Sequence, residues 1–151
     1  MSQSLVKLWV HLIFSTKNRY PFLSDRALRL DMHAYLASML RSNNCETTIV
    51  GGVEDHVHAL FALSKNHSLA NVVKEIKRTS SAWIKDMSRK CQNFHWQAGY
   101  GGFSVSQSQV EEVALYIQQQ EEHHKRVTFQ DEYRAFLRKY GVEFDERFVW
   151  D

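Results

Sequence analysis

Two histidines on alternate residues, in Asp55-His56-Val57-His58, are the sharpest chemical feature of the sequence. In a strand, a period of two sends both imidazoles to one face, about 6.6 Å apart, and turns Val57 to the other, so two rings can share one cation. His-x-His is also a common accident, and the pair needs partners before it reads as a metal site. Tyr116 and Gln120 offer them. Four residues apart on a helix, they stand one turn above each other at the edge of the stripe Val110, Val113, Ala114 and Ile117. A tyrosine there also reads as core packing. Where that helix edge meets the histidine face, Gln120 brings a carbonyl oxygen as third ligand and Tyr116 a phenolic nucleophile. Two imidazoles, an amide oxygen and open positions suit Mg²⁺ or Mn²⁺ bound together with a phosphate, whereas a closed structural zinc site takes four protein ligands. The cation would polarise a phosphodiester oxygen, and the phenol would lose its proton and attack in line.

These side chains need a sheet and a helix to bring them together. Residues 5–16 alternate Leu8, Val10, Leu12 and Phe14 with Lys7, Trp9, His11 and Ile13, the pattern of a central strand. After Pro21 and a Ser24-Asp25 start signal, Leu28, Met32, Tyr35, Leu36 and Met39 recur at helical spacing up to Ser42. Residues 46–51 and 55–63 read as a hairpin with Gly51-Gly52 near its turn. Ser68 begins a second helix whose apolar stripe runs from Leu69 to Met87, with Lys74, Lys77, Arg78 and Lys85 off the stripe. Residues 94–106 mix aromatics with three glycines, as a strand and a close-approach loop do. Gln109 to about Val127 is a third helix, about 131–140 a shorter one ending at Gly141, and the tail 143–151 is acidic and aromatic. The order β-α-β-β-α-β-α predicts an α+β fold: a ferredoxin-like split βαβ antiparallel sheet with helices on one face, plus a C-terminal helix bearing the tyrosine.

At 151 residues, 44% hydrophobic and 24% charged, the chain reads as one domain, 1–151, with ordinary globular composition. Disorder, collagen-like repeats and a disulfide framework are excluded, the last because only Cys45 and Cys91 are present. No apolar run approaches the roughly 20 residues of a membrane span, and no secretory signal is visible, so a cytoplasmic protein is expected. The net charge of +2 hides asymmetry. Residues 1–44 carry six basic and two acidic side chains and 64–102 carry seven and two, while 45–63 and 103–151 are acidic. The basic blocks could hold a polyanion if they share a surface, although a charge run also serves simply as a solvated face.

The chain resembles the single-strand DNA transposases of bacterial insertion sequences, the single-tyrosine branch of the HUH endonucleases. The resemblance rests on His56-Val57-His58, on Tyr116 and Gln120 within Tyr-Ile-Gln-Gln-Gln-Glu-Glu-His-His-Lys, on the run Trp96 to Ser106, and on Glu132-Tyr133-Arg134-Ala135-Phe136-Leu137. It implies a metal-dependent strand transferase that binds imperfect hairpins in single-stranded DNA, cleaves, keeps a 5′-phosphotyrosine and releases a 3′-hydroxyl for later rejoining. Carried over, Tyr116 is the nucleophile and His56, His58 and Gln120 hold Mg²⁺ or Mn²⁺. The family also implies a homodimer whose active sites can be completed in trans. The alternatives are a non-catalytic or domesticated hairpin-binding protein on the same fold, or a related HUH nicking enzyme. Lys17, Arg19, Lys74, Lys77, Arg78 and Lys85 are the phosphate-contact candidates. Trp96, Tyr100 and Phe103 read as base-stacking or core residues. Asp55 reads as a turn acid or an outer-sphere group, His123 and His124 as surface or packing residues, and His11 and His33 have no partner by spacing.

Overall fold

The computed structural model describes residues 2–151. Its elements are β1 (Trp9–Ser15), α1 (Arg26–Ser42), β2 (Glu46–Gly52), β3 (His56–Ala62), α2 (Leu69–Met87), β4 (Gly101–Val105), α3 (Val110–Gln118), α4 (Gln120–His123) and α5 (Phe129–Lys139). The start signals act as caps: the Asp25 carboxylate accepts from the amides of Ala27 and Leu28, and Ser68 Oγ from that of Asn71. Each such cap contributes about 1 kcal/mol.

The four strands form one antiparallel sheet in the order β2-β3-β1-β4. β1 is central, as its pattern predicts, and both of its faces are buried. The helices α1 and α2 cover one face, where Val10, Leu12, Phe14, Val57, Ala59 and Phe61 pack with Met32, Leu36, Leu40, Val72, Val73 and Ile76. Each of the Val, Leu, Ile, Phe and Met side chains contributes roughly 1.5–3 kcal/mol by leaving water. This is the expected split βαβ arrangement.

The opposite face is covered as well. Ile117 of α3 packs with Trp9, Leu60, Ala62 and Val105, while Phe129, Tyr133 and Leu137 of α5 pack with Ile13 and Phe103. Tyr116 therefore lies on a helix that crosses the sheet, and α5 follows it. The β2–β3 turn depends on Gly52: its φ is 150°, and a Cβ there would stand 2.2 Å from the carbonyl oxygen of His56. No helix among the described residues is long and apolar enough to cross a membrane.

Candidate active site

Strand parity sends Val57 into the α1/α2 core and turns His56 and His58 to the face under α3 and α5, where both are completely buried. Each ring is fixed through Nδ1. That of His56 donates to Asp55 Oδ1 at 2.7 Å, and that of His58 shares a hydrogen bond of 2.8 Å with His11 Nε2. The β1–β3 register, with Ile13 opposite His58 and His11 opposite Leu60, puts His11 on the same face. The Nε2 atoms of His56 and His58 are thereby left facing the helices that cross above them.

Those helices deliver five further groups. The third helix expected over 109–127 is broken: α3 ends at Gln118, Gln119 has non-helical angles (φ −94°, ψ 16°), and α4 restarts at Gln120. Arg29 and Arg26 on α1 both bond Glu121, which ties α4 to the body of the domain. Across the break, Tyr116 Oη and Gln120 Nε2 converge on one oxygen, Glu132 Oε2, the latter at 3.2 Å. Gln120 Oε1 lies 3.3 Å from His56 Nε2 and 2.9 Å from His124 Nε2. Glu132 Oε1 lies 3.0 Å from His58 Nε2, 3.2 Å from His124 Nε2 and 3.5 Å from His56 Nε2. His123 Nε2 is 3.3 Å from the Tyr116 hydroxyl and 3.1 Å from Glu132 Oε2. All four residues expected from sequence thus meet within one chain, joined by Glu132, His124, His123 and His11.

The donor set fits a cation. Donor atoms of His56, His58, His124 and Glu132 lie within 4.8 Å of one another, and ligands held about 2.1 Å from one ion stand roughly 3.0–3.4 Å apart. Two of the rings have already committed their Nδ1 protons, His56 to Asp55 and His124 to the carbonyl of Val127 at 2.7 Å. In a neutral imidazole so engaged, Nε2 is a bare lone pair. Such lone pairs facing Glu132 Oε1 and Gln120 Oε1 repel unless a positive charge sits among them.

The electrostatics of the centre reflect this. Burial opposes a charge on His56, but the hydrogen bonds to Asp55 and Glu132 outweigh it and raise its pKa to about 9. At His58 burial wins and lowers the pKa to about 4. Burial also acts against a charge on Glu132, yet hydrogen bonds from His124, His56 and His58 hold its carboxyl far below the usual range. Burial, then the charge of Glu132, push the Tyr116 phenol well above its ordinary value. A cleft of about 370 Å³ lined by Tyr116, His123, Val127, Phe136 and Lys139 leads to that phenol.

The phosphate-contact candidates lie elsewhere. Lys74, Lys77 and Arg78 on α2 line a cleft with Trp96, Gln97 and Tyr100, and Lys85 lies two turns further along the helix. Lys74 and Arg78 are exposed. Lys77 is half-buried: its ammonium donates to the carbonyls of Gln97 (2.8 Å) and Gly99 (2.7 Å) and lies over the Phe14 ring, and burial lowers its pKa to about 8. Lys17 lines a second cleft with Tyr20, Lys90 and His95, and the Arg19 guanidinium stacks on Trp150. Of the three aromatics, Trp96 and Phe103 belong to the core, Trp96 donating to Ser80 Oγ, and Tyr100 is half-exposed.

Sequence reasoning missed Glu132, His124 and His11. One signal existed for Glu132, a carboxylate on the otherwise apolar stripe Phe129, Tyr133, Phe136 and Leu137 of α5. For His124 it was the i,i+4 spacing from Gln120.

The sequence profile of the family described as "Transposase IS200 like" matches residues 4–120. The matched span includes His56, His58, Tyr116 and Gln120 and stops short of His124 and Glu132. No curated protein matches the chain. Among solved structures, the chain is similar to one from Deinococcus radiodurans described as a candidate transposase, with 23% identity, a TM-score of 0.60, and coverage of 80% of this chain and 98% of that one. It is also similar to a REP-associated tyrosine transposase bound to a REP hairpin, with 16% identity, a TM-score of 0.60, and coverage of 84% and 76%. At these identities the likeness is one of fold.

Proposed function

The chain belongs to the IS200-like transposase family, and on that premise we propose that it cleaves and rejoins single-stranded DNA through Tyr116. The observation that carries the reading is the meeting of Tyr116 and Gln120 with His56 and His58 in one buried centre beside a cleft.

In the proposed reaction the Tyr116 oxygen attacks phosphorus as its proton leaves. A P–O bond to tyrosine forms, the P–O3′ bond breaks, and the departing oxygen takes a proton to become a 3′-hydroxyl. The 5′-phosphotyrosine conserves the bond energy, so a 3′-hydroxyl can later displace the tyrosine and reseal a strand without ATP. His56, His58 and Gln120 would hold Mg²⁺ or Mn²⁺, which supplies Lewis-acid polarisation of the phosphate. His56 is aimed by Asp55 and His58 by His11, Gln120 is held by the clasp on Glu121, and α3 and α5 exclude water from the imidazoles.

The proposed partner is single-stranded DNA carrying an imperfect hairpin. Its support is the hairpin-bound structure of similar fold and the basic residues Lys74, Lys77, Arg78 and Lys85 on α2, with Lys17 and Arg19 at the end of β1. A homodimer would offer two such centres, one for each DNA end, each completed in cis or in trans by a tyrosine helix.

The test uses single-stranded oligonucleotides carrying imperfect hairpins, drawn from the DNA that flanks the coding region, incubated with protein and Mn²⁺ and resolved on a denaturing gel. A covalent protein–DNA band that disappears in His56→Ala is expected. Hairpin binding with no such band in the wild type would instead identify a non-catalytic hairpin-binding protein.

A further inference from the structure

We propose that Glu132 is shared between the cation and the nucleophile: one carboxylate oxygen is a metal ligand and the other holds the Tyr116 phenol. The inference rests on the transposase reading above and adds to it a residue from outside the span that the family profile matches.

Three observations carry it. First, Glu132 is 3% exposed, and its side-chain partners among the described residues are His56, His58, His123, His124, Gln120 and Tyr116, with no lysine or arginine. A carboxylate buried to that degree is ordinarily ion-paired or coordinates a metal. Second, its two oxygens have different neighbours. Oε1 faces the Nε2 atoms of His58, His124 and His56 at 3.0–3.5 Å, and the rings of His56 and His124 already spend their Nδ1 protons on Asp55 and the Val127 carbonyl, which leaves those Nε2 atoms as lone pairs in a neutral imidazole. Oε2 faces the Tyr116 hydroxyl, Gln120 Nε2 and His123 Nε2, which can all donate to it. Third, Gln120 repeats the division, with its oxygen toward the imidazoles and its nitrogen on Glu132 Oε2. Ligand atoms thus lie on one side of the carboxylate and the phenol on the other.

The consequence is mechanical coupling. A cation that fixes Oε1 fixes Oε2 about 2.2 Å away, the width of a carboxylate, and with it the reach of the tyrosine oxygen. Glu132 then sets the distance between the nucleophile and the polarised phosphate, which binding residues on the sheet cannot do.

The test reads metal binding directly, apart from activity. Titration calorimetry with Mn²⁺ should show at least about tenfold weaker binding in Glu132→Gln than in the wild type, and saturating Mn²⁺ should not restore DNA attachment to that variant. Tyr116→Phe keeps every ligand, yet with Co²⁺ as probe its visible absorption band should shift, because the second carboxylate oxygen has lost its partner. Wild-type Mn²⁺ affinity in Glu132→Gln, or an unchanged Co²⁺ spectrum in Tyr116→Phe, would overturn the proposal. If Glu132→Gln does not fold by circular dichroism, Glu132→Asp takes its place with the same expectations, since the shorter side chain cannot reach both partners. The two readings fail separately: DNA attachment with Mn²⁺ binding indifferent to Glu132 sinks only the shared carboxylate. Absence of attachment in a wild type whose Mn²⁺ affinity depends on Glu132 sinks the transposase chemistry and leaves Glu132 a ligand.

Discussion

Asp55 Oδ1 accepts a hydrogen bond of 2.7 Å from His56 Nδ1, which turns the opposite nitrogen of that ring to Gln120 and Glu132. The acid and the histidine are adjacent in sequence, yet only the strand start at His56 makes the contact possible: Asp55 is the last residue of the turn. Such carboxylate–histidine pairs fix the tautomer of a metal-binding imidazole and raise its basicity.

Removing the pair tests this role. Asp55→Ala is expected to weaken Mn²⁺ binding by roughly 10–100-fold while the protein keeps its circular dichroism spectrum. Unchanged calorimetric affinity would return Asp55 to being a turn acid.

The donor set also predicts which metal binds. Imidazoles dominate the cluster of His56, His58, His124 and Glu132, and Mg²⁺ prefers oxygen ligands and keeps its waters, whereas Mn²⁺ accepts nitrogen more readily. Calorimetry should therefore give a Kd for Mn²⁺ at least about tenfold below that for Mg²⁺. Equal affinities would mean that the imidazoles are not the ligands.

The helix carrying Tyr116 is seated by a glycine. A Cβ on Gly51 would lie 2.9 Å from both Ile117 Cγ2 and the Ile117 carbonyl oxygen, so Gly51→Ala must push α3 away from β2. Overpacking of this kind costs about 1–3 kcal/mol. Urea unfolding should show that loss, and attachment to DNA should fall even where the variant remains folded. A variant with wild-type stability and activity would show that α3 can shift freely.

A pH dependence follows from His33 on α1, which is buried with no partner for Nε2. Burial, then the charge of Arg29, lower its pKa from 6.5 to about 4. The unfolded chain takes up the proton first as pH falls, so the stability tied to the neutral ring is complete above pH 6.5 and is lost toward pH 4. At 1.36 kcal/mol per unit this amounts to about 3 kcal/mol. His33→Leu should lose that much less stability than the wild type between pH 7 and pH 4 in urea titrations. Equal losses in the two proteins would place the acid sensitivity elsewhere.

Much of this was legible in the sequence because it depends on local periodicity. The alternation around Val57 assigns His56 and His58 to one face, and the caps Asp25 and Ser68 set where α1 and α2 begin. The break at Gln119 was not legible, since neither glycine nor proline marks it; the turn is set by where Glu121 meets Arg26 and Arg29 of α1. Glu132 and His11 were out of reach for a related reason. His11 reaches His58 only through the pairing of β1 with β3, and Glu132 arrives when α5 packs its aromatic stripe on Ile13 and Phe103. Trp96 reads from sequence as a stacking platform or as core, and burial with its indole N–H donating to Ser80 Oγ makes it core.

Peptide mapping shows whether Tyr116 becomes covalently joined to DNA. Wild-type protein is incubated with hairpin-bearing single-stranded DNA and Mn²⁺, the product is digested with nuclease and protease, and the nucleotide-bearing peptide is sequenced by mass spectrometry. A nucleotide joined through its 5′-phosphate to Tyr116 is expected, and no adduct from Tyr116→Phe although that variant still binds the hairpin. An adduct on any other residue, or one that persists in Tyr116→Phe, would contradict it.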